Sequence, residues 1–194
     1  MEAFSDGVFS IAATLLVLDI ALRPPGGPLE QLRNAWPAYL GYVVSFLTIG
    51  AAWLAHSAMT DRLTGADTLL LRINLVLLLV IAFLPFPTKL VADALHNING
   101  ERVFVTVYGL TLLTIRLLGF ALDAYARHEN LYERGLGDDE LRADRRDLWP
   151  TVAAYVTAII IGLALPALAV ALYFALAVFL VLPWRDLRLV FRRG

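Results

Sequence analysis

Few side chains in this sequence can do chemistry, and most of them stand in apolar surroundings. Ser5 and Asp6 open the run "FSDGVFSIAATLLVLDI", Phe4 to Ile20, and Ser10 and Thr14 follow inside it. Trp53 and His56 lie one helical turn apart, and Asn74, Arg116 and Asp123 sit in later apolar runs. A carboxylate and an imidazole at one depth of a membrane can pass protons. Asp6 and His56 are therefore the pair to consider for a proton- or ion-coupled transporter, and an Asp6–His56 hydrogen bond is one expected contact. The plainer expectation is structural: a satisfied histidine, and an asparagine that bonds across helices. Arg116 and Asp123, at i and i+7, share a helix face and suggest a buried pair or a partner in a neighbouring helix.

Other chemistries are missing. The chain has no cysteine, which excludes thiolate metal sites, disulfides and a cysteine nucleophile. His96 and His128 fall in loops on opposite sides, so no metal site is expected. There is no HExxH, no GxSxG and no phosphate-cradling glycine loop, so neither an enzyme nor a cofactor is indicated. There is also no TVGYG carbonyl filter. No 3+3 internal repeat of the kind many secondary carriers show is evident.

The elements that must position these residues are helices in lipid. Hydrophobic residues make up 59% and mean hydropathy is +0.70. A soluble domain has roughly 45–50% apolar residues. A net charge of −1 offers nothing to attract nucleic acid. The first run has no basic n-region and reads as a retained span rather than a signal peptide. Apolar segments cover residues 4–22, 36–59, 68–91, 102–125, 149–164 and 167–182, about six spans in an all-α integral membrane protein. "RPPGGP" ends the first. Pro85 and Pro87 should kink or end the third. Pro166 divides the last apolar stretch in two. Residues 126–147 read as a polar surface loop with a short helix. Trp36, Trp149 and Trp184 mark span ends.

With six spans, eleven basic residues fall on the side of the termini: Arg62, Arg72, Arg127, Arg134, Arg142, Arg145, Arg146, Arg185, Arg188, Arg192 and Arg193. Four fall opposite: Arg23, Arg33, Lys89 and Arg102. This bias places both termini in the cytoplasm and the chain in the cell membrane.

At 100° per residue, Asp6, Ser10 and Thr14 make one stripe of the first helix, and Ile11, Leu15 and Leu18 make another. In one reading the polar stripe caps and back-bonds its own helix. In the other it packs on neighbouring helices and aims the apolar stripe at something functional.

Together, "FSDGVFSIAATLLVL", the "WLAH" of Trp53 to His56, Asn74 and the "FLPFPT" of Phe83 to Thr88 resemble the prokaryotic branch of the transmembrane protein 175 potassium channels. The resemblance implies a potassium-permeable cation channel in a lipid bilayer, a homotetramer around one pore lined by the first helix. It implies a hydrophobic constriction at Ile11, with Leu15 and Leu18 below it and Thr14 helping to shape the pore. It further implies that Phe4, Ser5, Asp6, Trp53, His56 and Asn74 form a network supporting the pore helix. The family often has a basic residue four positions before the Phe, a position that precedes residue 1 here.

Overall fold

A computed structural model describes residues 1–20, 26–95, 101–132 and 138–182, with the backbone alone over 138–147. The expected interface residue Trp184, His96, and the basic residues Arg23, Arg134, Arg185, Arg188, Arg192 and Arg193 lie outside the described residues. The described chain is helical: α1 (Glu2–Leu15), continued by a 3-10 turn (Leu16–Asp19), α2 (Pro28–Asn34), α3 (Trp36–Thr60), α4 (Thr68–Phe83), α5 (Pro85–Ala94), α6 (Glu101–His128), α7 (Asp138–Gly162) and α8 (Pro166–Val181). α3 (25 residues), the kinked pair Thr68–Ala94 (27) and α6 (28) are each long and apolar enough to cross a membrane. The apolar helices Leu148–Gly162 and Pro166–Val181 are shorter.

Local sequence explains the boundaries. Pro28, Pro85 and Pro166 each stand at a helix start, where a missing N–H costs nothing. α6 ends on Asn130, whose φ of 55° is left-handed. The Leu131 amide then reaches back to the Ala126 carbonyl (2.9 Å) and the Asn130 amide to Arg127 (3.1 Å). That is the paired closure of a Schellman turn, with asparagine in the place glycine usually holds.

Two expectations are corrected. The first span is not α-helical throughout residues 4–22: it tightens to 3-10 after Leu15. Helix ends often tighten in this way to use their last carbonyls. The polar segment is less loop than expected. α7 begins at Asp138, eleven residues before the expected start at 149, and runs through Pro150. Its opening turns are rich in Glu, Leu, Arg and Ala, good helix formers whose lack of an apolar stripe hides the helix from periodicity.

Packing runs in a ring: α1 on α3, α3 on α8, α8 on α7, α7 on α6, α6 on α4, and α4 back on α1. α5 fills the space between α3 and α6. Buried hydroxyls tie that centre together. Ser45 Oγ lies 2.8 Å from Tyr108 Oη and 2.7 Å from Thr88 Oγ1, and Thr88 donates to the Leu84 carbonyl (2.8 Å). Each hydroxyl has one proton. Thr88 spends its own on Leu84, so Ser45 must donate to Thr88 and Tyr108 to Ser45.

At the opposite contact Gly109 lets α8 approach α6. A Cβ there would collide with the Tyr173 hydroxyl and ring and stand 2.8 Å from Ile159 Cγ1. Tyr173 cannot easily give way, because Tyr108 packs edge-on (5.7 Å) and Tyr155 stacks beside it (6.4 Å). Gly109→Ala should therefore cost about 1–3 kcal/mol through overpacking. A thermal melt of detergent-purified protein checks this, and an unchanged midpoint would show that the tyrosines repack freely.

The end of the bundle near residues 61–67 and 123–132 is clasped by polar groups. Asp67 caps α4 through the Leu70 amide (2.7 Å) and accepts the Tyr125 hydroxyl (2.5 Å). The Thr64 amide and hydroxyl both donate to the Leu131 carbonyl. The Tyr125 hydroxyl first, and the Leu70 amide second, hold the Asp67 carboxyl below its usual 3.8. A carboxylate depressed on folding stabilises above its unfolded pKa, and the contribution is lost as pH falls through the lower folded value. Asp67→Ala should melt below the parent chain at pH 7, and the gap should shrink as pH drops below 3.8. A gap independent of pH would remove the charge from this account.

Candidate functional site

α1 packs on α3 and α4 with the face Ser5, Phe9, Ala12 and Leu16, spaced i, i+4, i+7, i+11, and all four are buried. The polar stripe is therefore not the packing face. Asp6, Ser10 and Thr14 are exposed on the single chain. Thr14 donates back to the Ile11 carbonyl (2.9 Å), the local bond a helix hydroxyl makes when no neighbour offers better.

Two hydrogen-bonded units hold α1. The buried one joins three helices. His56 Nε2 lies 2.8 Å from Asn74 Oδ1, and Asn74 Nδ2 donates to Ser5 Oγ (3.1 Å). Ser5 donates to the Met1 carbonyl (3.1 Å). Proton bookkeeping orients the chain. Ser5 has spent its only proton on Met1, so it accepts from the Asn74 amide, which leaves Asn74 Oδ1 facing the imidazole. His56 then carries hydrogen on Nε2. Its ring also packs on Phe9, centroids 5.4 Å apart. The exposed unit is one bond: Trp53 Nε1 donates to Asp6 Oδ1 (2.9 Å). The expected Asp6–His56 contact is not formed. Each residue has a different partner because Asp6 and Ser5, adjacent on the helix, point about 100° apart.

Phe4 is 62% exposed on the single chain. Ile11, Leu15 and Leu18 are 60%, 43% and 74% exposed. The 3-10 turn keeps Leu18 in line with Leu15, because side chains at i and i+3 eclipse in that geometry. Just beyond, Asp19 pairs with Lys89 of α5 (3.9 Å). The Arg116–Asp123 pair is not formed either. Asp123 accepts instead from the Arg127 guanidinium (2.7 Å), one helical turn on, and from the Tyr132 hydroxyl (2.5 Å), which the turn at Asn130 folds back toward it.

Sequence reasoning missed Phe9, the largest side chain on the packing face of α1. Its spacing of i+4 from Ser5 was the available signal. No group of three or more His, Cys, Asp or Glu side chains that could hold a metal occurs among the described residues.

These features define a class: an all-α, multi-span membrane protein whose first helix gives one face to its own subunit and leaves an apolar line uncovered. Residues 1–85 match the family model described as the endosomal/lysosomal potassium channel TMEM175. The crystal structure of a lysosomal potassium-selective channel TMEM175 homolog from Chamaesiphon minutus is similar along nearly the whole fold. Its TM-score is 0.82 at 31% identity, covering 92% of this chain and 93% of that one. The chain belongs to the TMEM175 family. It is also 42% identical over 125 residues to a protein named a potassium channel in Streptomyces collinus, covering 63% of this chain and 61% of that one. A Chamaesiphon minutus protein of the same kind of name is 37% identical over 123 residues, covering 61% and 60%. The matched stretches thus span less than two thirds of these two relatives.

Proposed function

We propose that four copies of this chain assemble around α1 as a potassium-permeable cation channel that conducts K⁺ passively and is not an enzyme. One observation carries the reading. α1 is locked to its subunit on one face by Ser5, Phe9 and Asn74, while Ile11, Leu15 and Leu18 stand uncovered on another. A helix held so firmly at one side of the ring can present that line to its symmetry mates. The family membership and the names of the relatives support the same assignment.

In this assembly the Ile11 side chains form the narrowest ring, and Leu15 and Leu18 extend it. A narrow apolar ring gates by dewetting. An ion entering it sheds part of its hydration shell, which costs K⁺ less than Na⁺, so a modest preference for K⁺ follows without carbonyl ligands. Thr14 flanks the ring with its hydroxyl proton already given to the Ile11 carbonyl, so it offers an ion only oxygen lone pairs. Phe4, Ser5, Asp6, Trp53, His56 and Asn74 support the helix rather than touch the ion. With about six spans per chain, the bias of the basic residues supports both termini in the cytoplasm.

A coupled transporter using Asp6 and His56 as a titrating pair is the competing reading. The separate partners of the two residues, Trp53 and Asn74, speak against it. The test is K⁺ flux by the purified full chain in liposomes under a K⁺ gradient. Uptake that follows the gradient and carries current is expected. Absence of flux in reconstituted tetramers, or flux strictly coupled to protons, would sink the channel reading.

A further inference from the structure

Arg116 lies within α6, two turns before Asp123, and neither the site nor the bundle accounts for it. Its Nε is buried and has no hydrogen-bond partner, while the residue as a whole is only partly buried. A guanidinium inside a bilayer costs roughly 2.5–3.5 kcal/mol even by lenient scales, so such residues normally have a counter-charge. The carboxylate on its own helix face, Asp123, is already held by Arg127 and Tyr132. Across the α6–α7 contact it lies within electrostatic reach of Tyr155, which carries no charge to offer.

Depth and direction point to what fills the gap. Arg116 precedes Asp123 by seven residues, about 10 Å along the helix. On α7, Trp149 precedes Tyr155 by six residues, about 9 Å, and is 75% exposed, as an interface anchor would be. Both markers put Arg116 about 9–10 Å inside the boundary on the side of the termini, deeper than its side chain spans, so the guanidinium snorkels part of the way and a headgroup drawn inward along the helices meets it. In the packing ring α7 stands opposite α1. Resting on the α1-centred assembly proposed above, the α6–α7 groove then faces lipid rather than another subunit.

We infer that Arg116, at the α6–α7 groove, binds the phosphate of an anionic phospholipid from the leaflet on the side of the termini. The guanidinium is a planar fork suited to phosphate oxygens. Basic pockets between spans on that side are where anionic headgroups bind. Trp149 stands at the rim, where a lipid glycerol region would lie.

The test compares thermal melts of the full chain in neutral detergent with added phosphatidylglycerol, phosphatidylcholine or inorganic phosphate. Phosphatidylglycerol should raise the midpoint of the parent chain by several degrees, as a ligand of the folded state does. Arg116→Gln should lose that rise, and Arg116→Lys should keep part of it. An equal rise in parent and Arg116→Gln overturns the site, and a matching rise with inorganic phosphate overturns the lipid source. Because Arg116→Gln can fail to fold, native mass spectrometry of the parent chain provides the second measurement. Retained phosphatidylglycerol in excess of phosphatidylcholine is expected, and no preference refutes the inference. Neither readout uses ion flux, so failure here and failure of the channel reading remain separable.

Discussion

Ile11→Asn, in liposomes or under voltage clamp, passes more current and discriminates less between K⁺ and Na⁺ than the parent chain. The reasoning starts from exposure. Ile11 is 60% exposed on the single chain, so the substitution removes little packing within the subunit and folding should survive. In the ring proposed above, an amide would replace an apolar wall, and water would stay where the isoleucines expel it. Each 1.4 kcal/mol removed from the barrier of a crossing ion is about tenfold in rate. An increase of about that size is expected for one ring of four amides. Selectivity should fall in the same variant, because an ion that keeps its water no longer reports how dearly it sheds it. Reversal potentials under K⁺/Na⁺ exchange measure this directly, and an unchanged value would falsify the dehydration account even if the current rises.

The second large effect lies in the buried network. Asn74→Ala strands two partners at once, the Nε2–H of His56 and the Ser5 hydroxyl oxygen, both in a dry contact between α1, α3 and α4. Each unsatisfied buried group costs about 1–3 kcal/mol. Two such groups cost about 2–6 kcal/mol, which for a chain of this size is a fall in melting midpoint of about 4–24 °C, at 2–4 °C per kcal/mol. The neighbouring Asp6→Asn offers the contrast. Its amide oxygen still accepts from Trp53, and the contact is exposed. The expected change is within about 1 kcal/mol, with flux retained. Loss of flux in Asp6→Asn tetramers that assemble normally would instead favour the coupled-transporter reading.

Much of this was legible in the residues, and the failures have physical causes. The proline-marked breaks at Pro85 and Pro166 were readable because a missing N–H and a fixed φ act locally. The two faces of α1 were readable as periodicity, but which of them packs inward was not. Ser10 and Thr14 look like packing residues in lipid, whereas Thr14 satisfies itself on its own backbone and Phe9 does the packing. The choice of partners for Asp6 was hidden too. It depends on where Trp53 stands relative to His56 once α3 lies against α1, and one turn of helix separates the two possibilities. The start of α7 escaped because a polar helix and a polar loop have the same composition. Arg116 was misassigned by the same logic: periodicity brought Asp123 to its face but said nothing of Tyr132, which arrives through a turn at Asn130.

The short 3-10 turn after Leu15 sets a pitch. Four residues of α-helix advance about 6 Å, and three residues of 3-10 helix also advance about 6 Å. Ile11, Leu15 and Leu18 therefore follow one another at equal steps. An uninterrupted α-helix would shorten the second step to about 4.5 Å and swing Leu18 sideways by about 60°. In the fourfold assembly proposed above, the tightened end would set Leu18 beneath Leu15 and give three evenly spaced rungs over about 12 Å. In the proposed column the Ile11 ring, the narrowest, is where the thread of water would break first, and the evenly spaced leucine rungs below it would lengthen the dry stretch that an ion must rewet.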